Sequence, residues 1–247
     1  MSSDLTLREW LAADRFTLCM SSGFFGFFAH AGVVRALEEE ELLPARVVGS
    51  SAGAMVAGLW ASGVSPEVMF EELAELRRDQ FWDPAPGMGL LRGRLFRERM
   101  EDLLVEEHFA DCRVPLAISV FDVWRRRTEV LKRGRLSSAI VASCAFPGLF
   151  HPQKHSGRLF SDGGILDRPG LAPEPVSPTL EPGLTEVSPE DHWRWRMRMA
   201  EEIAAKLDGP KFGVKGVYVF GSTKNATAAP GSDIDLIAVS YTHLTLP

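Results

Sequence analysis

Residues 47–59 read Val-Val-Gly-Ser-Ser-Ala-Gly-Ala-Met-Val-Ala-Gly-Leu. The two valines are typical of a buried strand, and the small residues that follow are typical of a helix that packs closely against it. Between the two lies a G-x-S-x-G pattern centred on Ser51. At a sharp strand-to-helix turn this pattern exposes the central hydroxyl as a nucleophile, while Gly49 and Gly53 leave room for the bend. The alternative is an ordinary glycine- and serine-rich turn of an α/β protein.

A second informative segment lies upstream. Residues 16–20 predict a buried strand, and residues 27–41 predict a helix with a hydrophobic period near 3.6. The loop between them, at residues 21–26, reads Ser-Ser-Gly-Phe-Phe-Gly. Backbone N–H groups at a helix start are free to bind an anion, which in a serine hydrolase is the oxygen of the tetrahedral intermediate. A plain turn is the alternative.

A third segment, residues 159–168, reads Leu-Phe-Ser-Asp-Gly-Gly-Ile-Leu-Asp-Arg. A surface turn would explain an isolated Asp-Gly-Gly equally well. Together, however, the loop, the serine corner and this turn resemble the patatin-like phospholipase family, in which a glycine-rich oxyanion loop, G-x-S-x-G and D-G-G/A occur in this order. Residues 142–148, Ala-Ser-Cys-Ala-Phe-Pro-Gly, resemble that family's Ala-Ser-x-x-x-Pro-Gly segment. The resemblance covers about residues 16–170.

The resemblance implies a catalytic dyad without histidine, in which Ser51 is the nucleophile and Asp162, followed by Gly163 and Gly164, is the base. An aspartate with a reference pKa of ~3.9 is a weak base until burial raises that value. The resemblance also implies that the loop supplies the oxyanion amides, from Gly23, Phe24, Phe25 and Gly26. The loop departs from the family's usual Gly-Gly-Gly-x-Arg/Lys-Gly because it carries no basic residue. The implied reaction is hydrolysis of lipid or other acyl esters, without a cofactor.

A histidine-based triad is the competing mechanism. Unrelated α/β hydrolases place Ser, Asp and His in that chain order, which Ser51, Asp122 and His151 also follow. The alternative for His151 is a surface or packing role. No histidine spacing in the chain is typical of a metal site.

Composition limits the choice of partners and location. The chain has 247 residues, is 45% hydrophobic and carries a net charge of −6, which argues against a nucleic-acid partner. Its three cysteines cannot all pair, so reduced thiols in a cytoplasmic protein are the simplest expectation. Neither a signal peptide nor an apolar run of the ~20 residues that span a bilayer is recognisable.

Two groups of residues suggest peripheral contact with a membrane. Arginines alternate with apolar residues on a helix predicted around residues 90–100, namely Arg92, Arg94, Arg97 and Arg99. Phenylalanines cluster near the oxyanion loop, at Phe24, Phe25, Phe27 and Phe28. Both groups are typical of a surface that contacts lipid. The alternative for the arginines is an ordinary solvated helix face.

The chain changes character after Arg168. Residues 171–188 predict a stiff proline-rich linker, and a helix is predicted from about residue 189 to 207. The following sequence resembles the nucleotidyltransferase superfamily, since Gly-Ser is followed by Asp-x-Asp at Asp233 and Asp235. Two aspartates at i and i+2 of a strand share one face and can hold Mg²⁺. The alternative is an ordinary strand edge.

We therefore predict an α/β fold of three layers, α/β/α, with a mostly parallel central sheet and helices on both faces. Residues 1–170 form the expected hydrolase domain, which lacks the closing elements usual in the family. Residues 171–188 form the linker, and residues 189–247 a partial nucleotidyltransferase-like segment with a foreign-looking tail. The leading function is a serine acyl-ester hydrolase. The alternatives are a metal-dependent nucleotidyltransferase module and an inactive truncated fusion.

Overall fold

The computed structural model of the chain describes residues 7–23, 26–75, 77–172, 192–206, 216–220 and 235–239. The chain divides into two compact units, Met1–Pro175 and Val176–Pro247. The helices, in chain order, are α1 Leu7–Ala13, α2 Gly26–Glu39, α3 Ala52–Ser62, α4 Pro66–Ala74, α5 Arg94–Leu103, α6 Leu136–Ser143 and α7 His192–Lys206. The strands are β1 Thr17–Met20, β2 Arg46–Ser50, β3 Gly89–Leu91, β4 Leu116–Asp122, β5 Arg127–Leu131, β6 Gly148–Phe150, β7 Gln153–His155, β8 Arg158–Ser161, β9 Gly216–Phe220 and β10 Asp235–Val239.

The described part of the first unit contains a six-stranded sheet in the order β1-β2-β4-β8-β7, with β5 also paired to β4. Strands β1, β2 and β4 are parallel, whereas β5 and β8 run antiparallel to β4, and β7 antiparallel to β8. The α/β class and the parallel centre of the sheet agree with the sequence prediction. Because parallel strands end at the same side of a sheet, β1, β2 and β4 all end at one edge, which we call the carboxyl edge.

The central strands are buried almost along their whole length. Val47 and Val48 of β2 are inaccessible to solvent, and so are Ile118 and Val120 of β4. Continuous apolar runs of this kind are typical of parallel strands that are covered on both faces. The centre of the core is therefore formed by strands whose consecutive residues are buried on both faces, not by strands with one buried and one exposed face.

Helix α3 packs so closely against the sheet that backbone atoms of the two elements are in contact. All eleven of its residues are buried. A Cβ atom added at Gly53 would lie 2.1 Å from the carbonyl oxygen of Met20, and one added at Gly49 would lie 2.5 Å from the carbonyl oxygen of Gly53. Small residues are therefore required here, because a methyl group would push the helix away from β1 and β2.

The predicted helix around residues 90–100 begins later than expected. Gly89–Leu91 forms β3, which pairs with β6, and the helix α5 begins at Arg94. The carboxylate of Asp83 accepts hydrogen bonds from the N–H groups of residues 93, 94 and 95. This cap lies ten residues upstream in the chain, so no local capping signal marked the helix start.

The second unit, in its described residues, contains α7 and an antiparallel ribbon of β9 and β10. Asp235 is the first residue of β10 and lies opposite Phe220. Asp233 and nearly all of the predicted linker lie outside the described residues.

The contact between α3 and β1 leads to a stability prediction. Gly53→Ala should lower the free energy of unfolding by about 3 kcal/mol or more, because the added methyl group meets rigid backbone atoms. Gly32→Ala in α2 is the matched control. Its Cβ atom would meet only the Phe70 ring, at 3.9 Å, so the protein should be unchanged or stabilised by up to about 1 kcal/mol. Urea unfolding measures both, and equal effects would contradict the packing argument.

Candidate active site

Ser51 lies at the corner between β2 and α3, at the carboxyl edge of the sheet. Its backbone angles, φ 53° and ψ −119°, are rare for a residue with a side chain. The N–H of Ser51 donates to Ser143 Oγ at 2.8 Å, and that hydroxyl donates to the carbonyl of Ser119 at 2.7 Å. Ser143 therefore links the strained corner to β4 and contributes to holding its conformation.

Asp162 follows β8 and meets Ser51 across 111 residues of sequence. Ser51 Oγ donates to Asp162 Oδ2 at 2.7 Å. The other carboxylate oxygen, Oδ1, accepts the N–H of Gly164 at 2.7 Å. Because Asp162 is only 4% exposed, these two bonds fix the orientation of its carboxylate at the serine hydroxyl.

Burial raises the pKa of Asp162 above its ordinary value, while the hydrogen bonds from Ser51 and Gly164 lower that pKa and offset part of the effect. A higher pKa makes the carboxylate a stronger base. Burial, and then the charge of Asp162, raises the pKa of the neighbouring Cys144 thiol well above its ordinary value. The thiol is therefore protonated, donates to the carbonyl of Ser51 at 3.2 Å, and does not compete as a nucleophile.

The two glycines after Asp162 allow the turn to pack against its neighbours. A Cβ atom at Gly163 would lie 2.2 Å from the carbonyl oxygen of Ser119, and one at Gly164 would lie 2.7 Å from Ser22 Oγ. A residue with a side chain would therefore collide with these neighbours at either position. The D-G-G turn therefore lies between β4 and the start of the loop that follows β1.

That loop is described only at its two ends, because Phe24 and Phe25 lie outside the described residues. The N–H of Gly26 donates to the carbonyl of Gly23 at 2.8 Å, so this amide closes the turn and is not free for an oxyanion. His30 Nε2 lies 2.8 Å from the carbonyl of Ser21. Burial lowers the pKa of His30, which favours a neutral ring that donates to this carbonyl and holds the loop.

Three residues that support the site were not predicted from the sequence. Ser119 and Ser143 connect the serine corner to β4, as described above. Asp167 is buried, accepts the hydroxyl of Ser119, and binds the N–H groups of residues 171 and 172. Asp167 and Ser143 both lie within the segments that resemble the family, but no sequence spacing predicts their partners.

The alternative triad is not assembled in the described part of the chain. Asp122 accepts hydrogen bonds from Arg158 and from the N–H groups of Trp124 and Arg125. His151 Nε2 lies 3.2 Å from the carbonyl of Ala85. Neither residue hydrogen-bonds to Ser51, so the structure does not support the histidine-based mechanism.

The arginines of α5 are engaged within the protein. Arg94 pairs with Glu98, Arg97 donates to Gln153, and Arg99 pairs with Glu72. Over the described ranges, no three His, Cys, Asp or Glu residues cluster as a metal site would require. In those same ranges, no helix is long and apolar enough to cross a bilayer.

Two regions of the chain match known protein families. The profile of the patatin-like phospholipase family matches residues 18–173, and that of the nucleotidyltransferase domain matches residues 197–245. An uncharacterized NTE family protein of Mycobacterium bovis is 32% identical over 165 residues, which are 66% of this chain and 46% of the relative. Lysophospholipase NTE1 of Mycosarcoma maydis is 29% identical over 146 residues, 56% of this chain and 8% of that protein. The chain thus spans about half of its mycobacterial relative and a small part of the fungal one.

One solved structure resembles the fold. VipD of Legionella pneumophila superposes with a TM-score of 0.50 at 14% identity, covering 91% of this chain and 63% of that chain. At this level of identity the likeness concerns the fold alone.

The position of Ser143 leads to a second stability prediction. Ser143→Ala should lower the free energy of unfolding by about 1–3 kcal/mol, because it removes the partners of the Ser51 N–H and the Ser119 carbonyl. Ser62→Ala is the control, since Ser62 Oγ is buried but donates only to a carbonyl of its own helix. We expect a loss below about 1 kcal/mol for this control in the same urea titration. A larger loss for Ser62→Ala would contradict the assigned role of Ser143.

The raised pKa of Asp162 gives a pH-dependent prediction. A carboxyl group whose pKa is higher in the folded than in the unfolded state loses stabilisation as pH rises through the folded value. Asp162→Asn cannot ionise, so its melting temperature should exceed that of the wild type at pH 7, and the gap should shrink toward pH 4. The exposed Asp79→Asn is the control and should show little difference at either pH. A gap that widens on acidification would contradict the burial argument.

Proposed function

The chain belongs to the patatin-like phospholipase family, and on that premise we propose that it hydrolyses carboxylic esters of lipids with Ser51 as nucleophile and Asp162 as base. The observation that supports this proposal most directly is the 2.7 Å hydrogen bond from Ser51 Oγ to Asp162 Oδ2. A carboxylate within hydrogen-bond distance of a serine hydroxyl is what such a mechanism requires of its base and nucleophile.

The proposed reaction has two halves. As Ser51 Oγ attacks the ester carbonyl, its proton passes to Asp162 Oδ2, and the tetrahedral intermediate collapses as that proton moves to the leaving alcohol. Water then attacks the acyl-serine ester while Asp162 accepts a proton from it. The acid is released when Ser51 recovers its hydroxyl hydrogen. Both groups belong to the chain, so we propose no metal or other cofactor for this reaction.

Backbone amides beside Ser51 would stabilise the oxyanion. We propose the loop residues Gly23, Phe24 and Phe25 as donors, since the amide of Gly26 already bonds to Gly23. Ala52 is a further candidate, because it is the first residue of the eleven-residue helix α3 and directly follows the nucleophile. The first N–H groups of a helix have no partner within it and point toward negative charge.

The proposed substrates are acyl esters of phospholipids or lysophospholipids. Fungal relatives of the chain bear the name lysophospholipase. We also propose that the protein works in the cytoplasm and contacts membranes peripherally, consistent with the lack of a disulfide among Cys19, Cys112 and Cys144, which all lie in the described residues. No part of this proposal involves nucleic acid.

Substitution of the dyad tests the reaction. Ser51→Ala should lower kcat/KM for a chromogenic ester and for lysophosphatidylcholine by about 10⁴-fold or more, whereas the control Ser62→Ala should retain most of the activity. The acid limb of the wild-type pH profile should lie above the ordinary aspartate pKa, because burial raises that of Asp162. Full activity of Ser51→Ala would contradict the proposal.

The match to a nucleotidyltransferase domain favours a second candidate function. We propose that Asp233 and Asp235 bind Mg²⁺ with a nucleotide, although Asp233 lies outside the described residues. Calorimetry should then detect Mg²⁺-dependent nucleotide binding that Asp233→Ala abolishes, with ester hydrolysis unchanged. Absence of that binding in the wild type would contradict this candidate. A folded circular dichroism signal with neither activity would support the inactive alternative.

A further inference from the structure

The hairpin between β4 and β5 projects from the carboxyl edge beyond the candidate active site. Ser50, the residue before the nucleophile, pairs with Ser119, and β4 continues for three more residues to Asp122. At ~3.3 Å per residue, the strand extends ~10 Å past the level of Ser50. Residues 123–126, which we call the hairpin tip, therefore stand above Ser51 on the same edge.

The hairpin tip exposes an aromatic ring among cationic side chains. Trp124 is 78% exposed, and Arg125, Arg126 and Arg127 are exposed beside it. Isolated apolar residues on a surface are common, but a tryptophan flanked by arginines is typical of side chains that lie at a membrane interface.

The acidic residues under the tip leave it positively charged. Glu129 pairs with Arg125, Arg127 and Arg158, and Asp122 pairs with Arg158. With Arg126 included, four guanidinium groups face two carboxylates, a net charge of +2. The whole chain carries −6, so this region is opposite in sign to the net charge and would orient the protein on an anionic surface.

The backbone of the tip is held in place before any contact with lipid. Asp122 Oδ1 accepts the N–H groups of Trp124 and Arg125 at 3.0 and 2.8 Å, and the carbonyl of Asp122 accepts the N–H of Arg126 at 2.8 Å. A turn that is already ordered loses little conformational entropy on binding.

Other exposed apolar side chains lie on segments next to the dyad. Ile165 and Leu166 follow the D-G-G turn directly, and Phe28 lies in the first turn of α2. All three are exposed. An acyl chain that approaches Ser51 would therefore meet apolar side chains.

We infer that the hairpin tip docks the protein on an anionic lipid surface, with Trp124 at the interface and Arg125 and Arg126 against lipid phosphates. The inference rests on the proposed function, since it is the lipid substrate that favours a membrane over an acidic protein as the partner. It adds a second cationic region to the membrane contact predicted from the arginines of α5, of which Arg94 pairs with Glu98, Arg99 pairs with Glu72 and Arg97 donates to Gln153.

Vesicle flotation tests this inference without requiring catalysis. The wild type should float with phosphatidylcholine vesicles that contain about one-third phosphatidylglycerol, and much less with phosphatidylcholine alone. Trp124→Ser should weaken partitioning by about tenfold, and Arg125→Gln with Arg126→Gln by about fivefold for each charge removed. High salt should weaken wild-type binding in the same way, because it screens the charges.

Two control variants lie at the opposite edge of the sheet. Leu43 is exposed in the segment before β2, and Arg8 is exposed in α1 and pairs with Glu40 of the same segment. Leu43→Ser and Arg8→Gln should bind vesicles like the wild type. Hydrolysis of a soluble chromogenic ester should be unchanged in all tip variants.

Equal flotation of wild-type and tip variants would overturn the inference, as would equal losses in the control variants. Failure of the wild type to float with anionic vesicles would also overturn it. The same holds if the tip then proves to bind an acidic protein instead of lipid. Flotation that depends on Trp124 in a chain without esterase activity would support the docking surface and contradict only the proposed reaction.

Discussion

The backbone conformation of Ser51 is the constraint on which the rest of the first unit depends. A residue with a side chain held at φ 53° costs about 1–3 kcal/mol relative to a relaxed conformation, so surrounding contacts must compensate. The completely buried helix α3 and the hydrogen bond to Ser143 supply this compensation. Gly49 and Gly53 are required by the same corner, because their lack of a side chain lets the backbone of α3 begin in contact with the backbone of the strands.

Asp122 and Asp162 show how hydrogen-bond partners and desolvation together set the pKa of a carboxylate. Both are buried by accessible surface, at 3% and 4% exposure. The N–H of Arg125 and the side chain of Arg158 lower the pKa of Asp122, which suits a residue that anchors a turn. Asp162 has no cationic partner among its described hydrogen bonds, and desolvation raises its pKa. The same side chain therefore serves as a structural anchor in one place and as a candidate base in the other.

Strand β4 connects the site to the surface beyond it. Its Ser119 holds Ser143 and Asp167, which secure the serine corner and the chain after the D-G-G turn. Its last residue, Asp122, orders the hairpin tip. A displacement of this strand would affect the dyad and the proposed lipid contact together, because hydrogen bonds connect both to β4.

The sequence by itself determined the α/β class, the strand-to-helix corner at Ser51 and the motif order that identifies the family, because these depend on local periodicity and on glycines at fixed spacing. It misplaced the start of α5, because that cap comes from Asp83, ten residues away. Only the tertiary structure decided that Ser51 meets Asp162, that Gly26 closes its own turn and that Ser143 and Asp167 support the corner. It also decided that Asp122 and His151 have other partners. The physical reason is that hydrogen-bond partners and desolvation depend on contacts between segments distant in the chain, which no local pattern records.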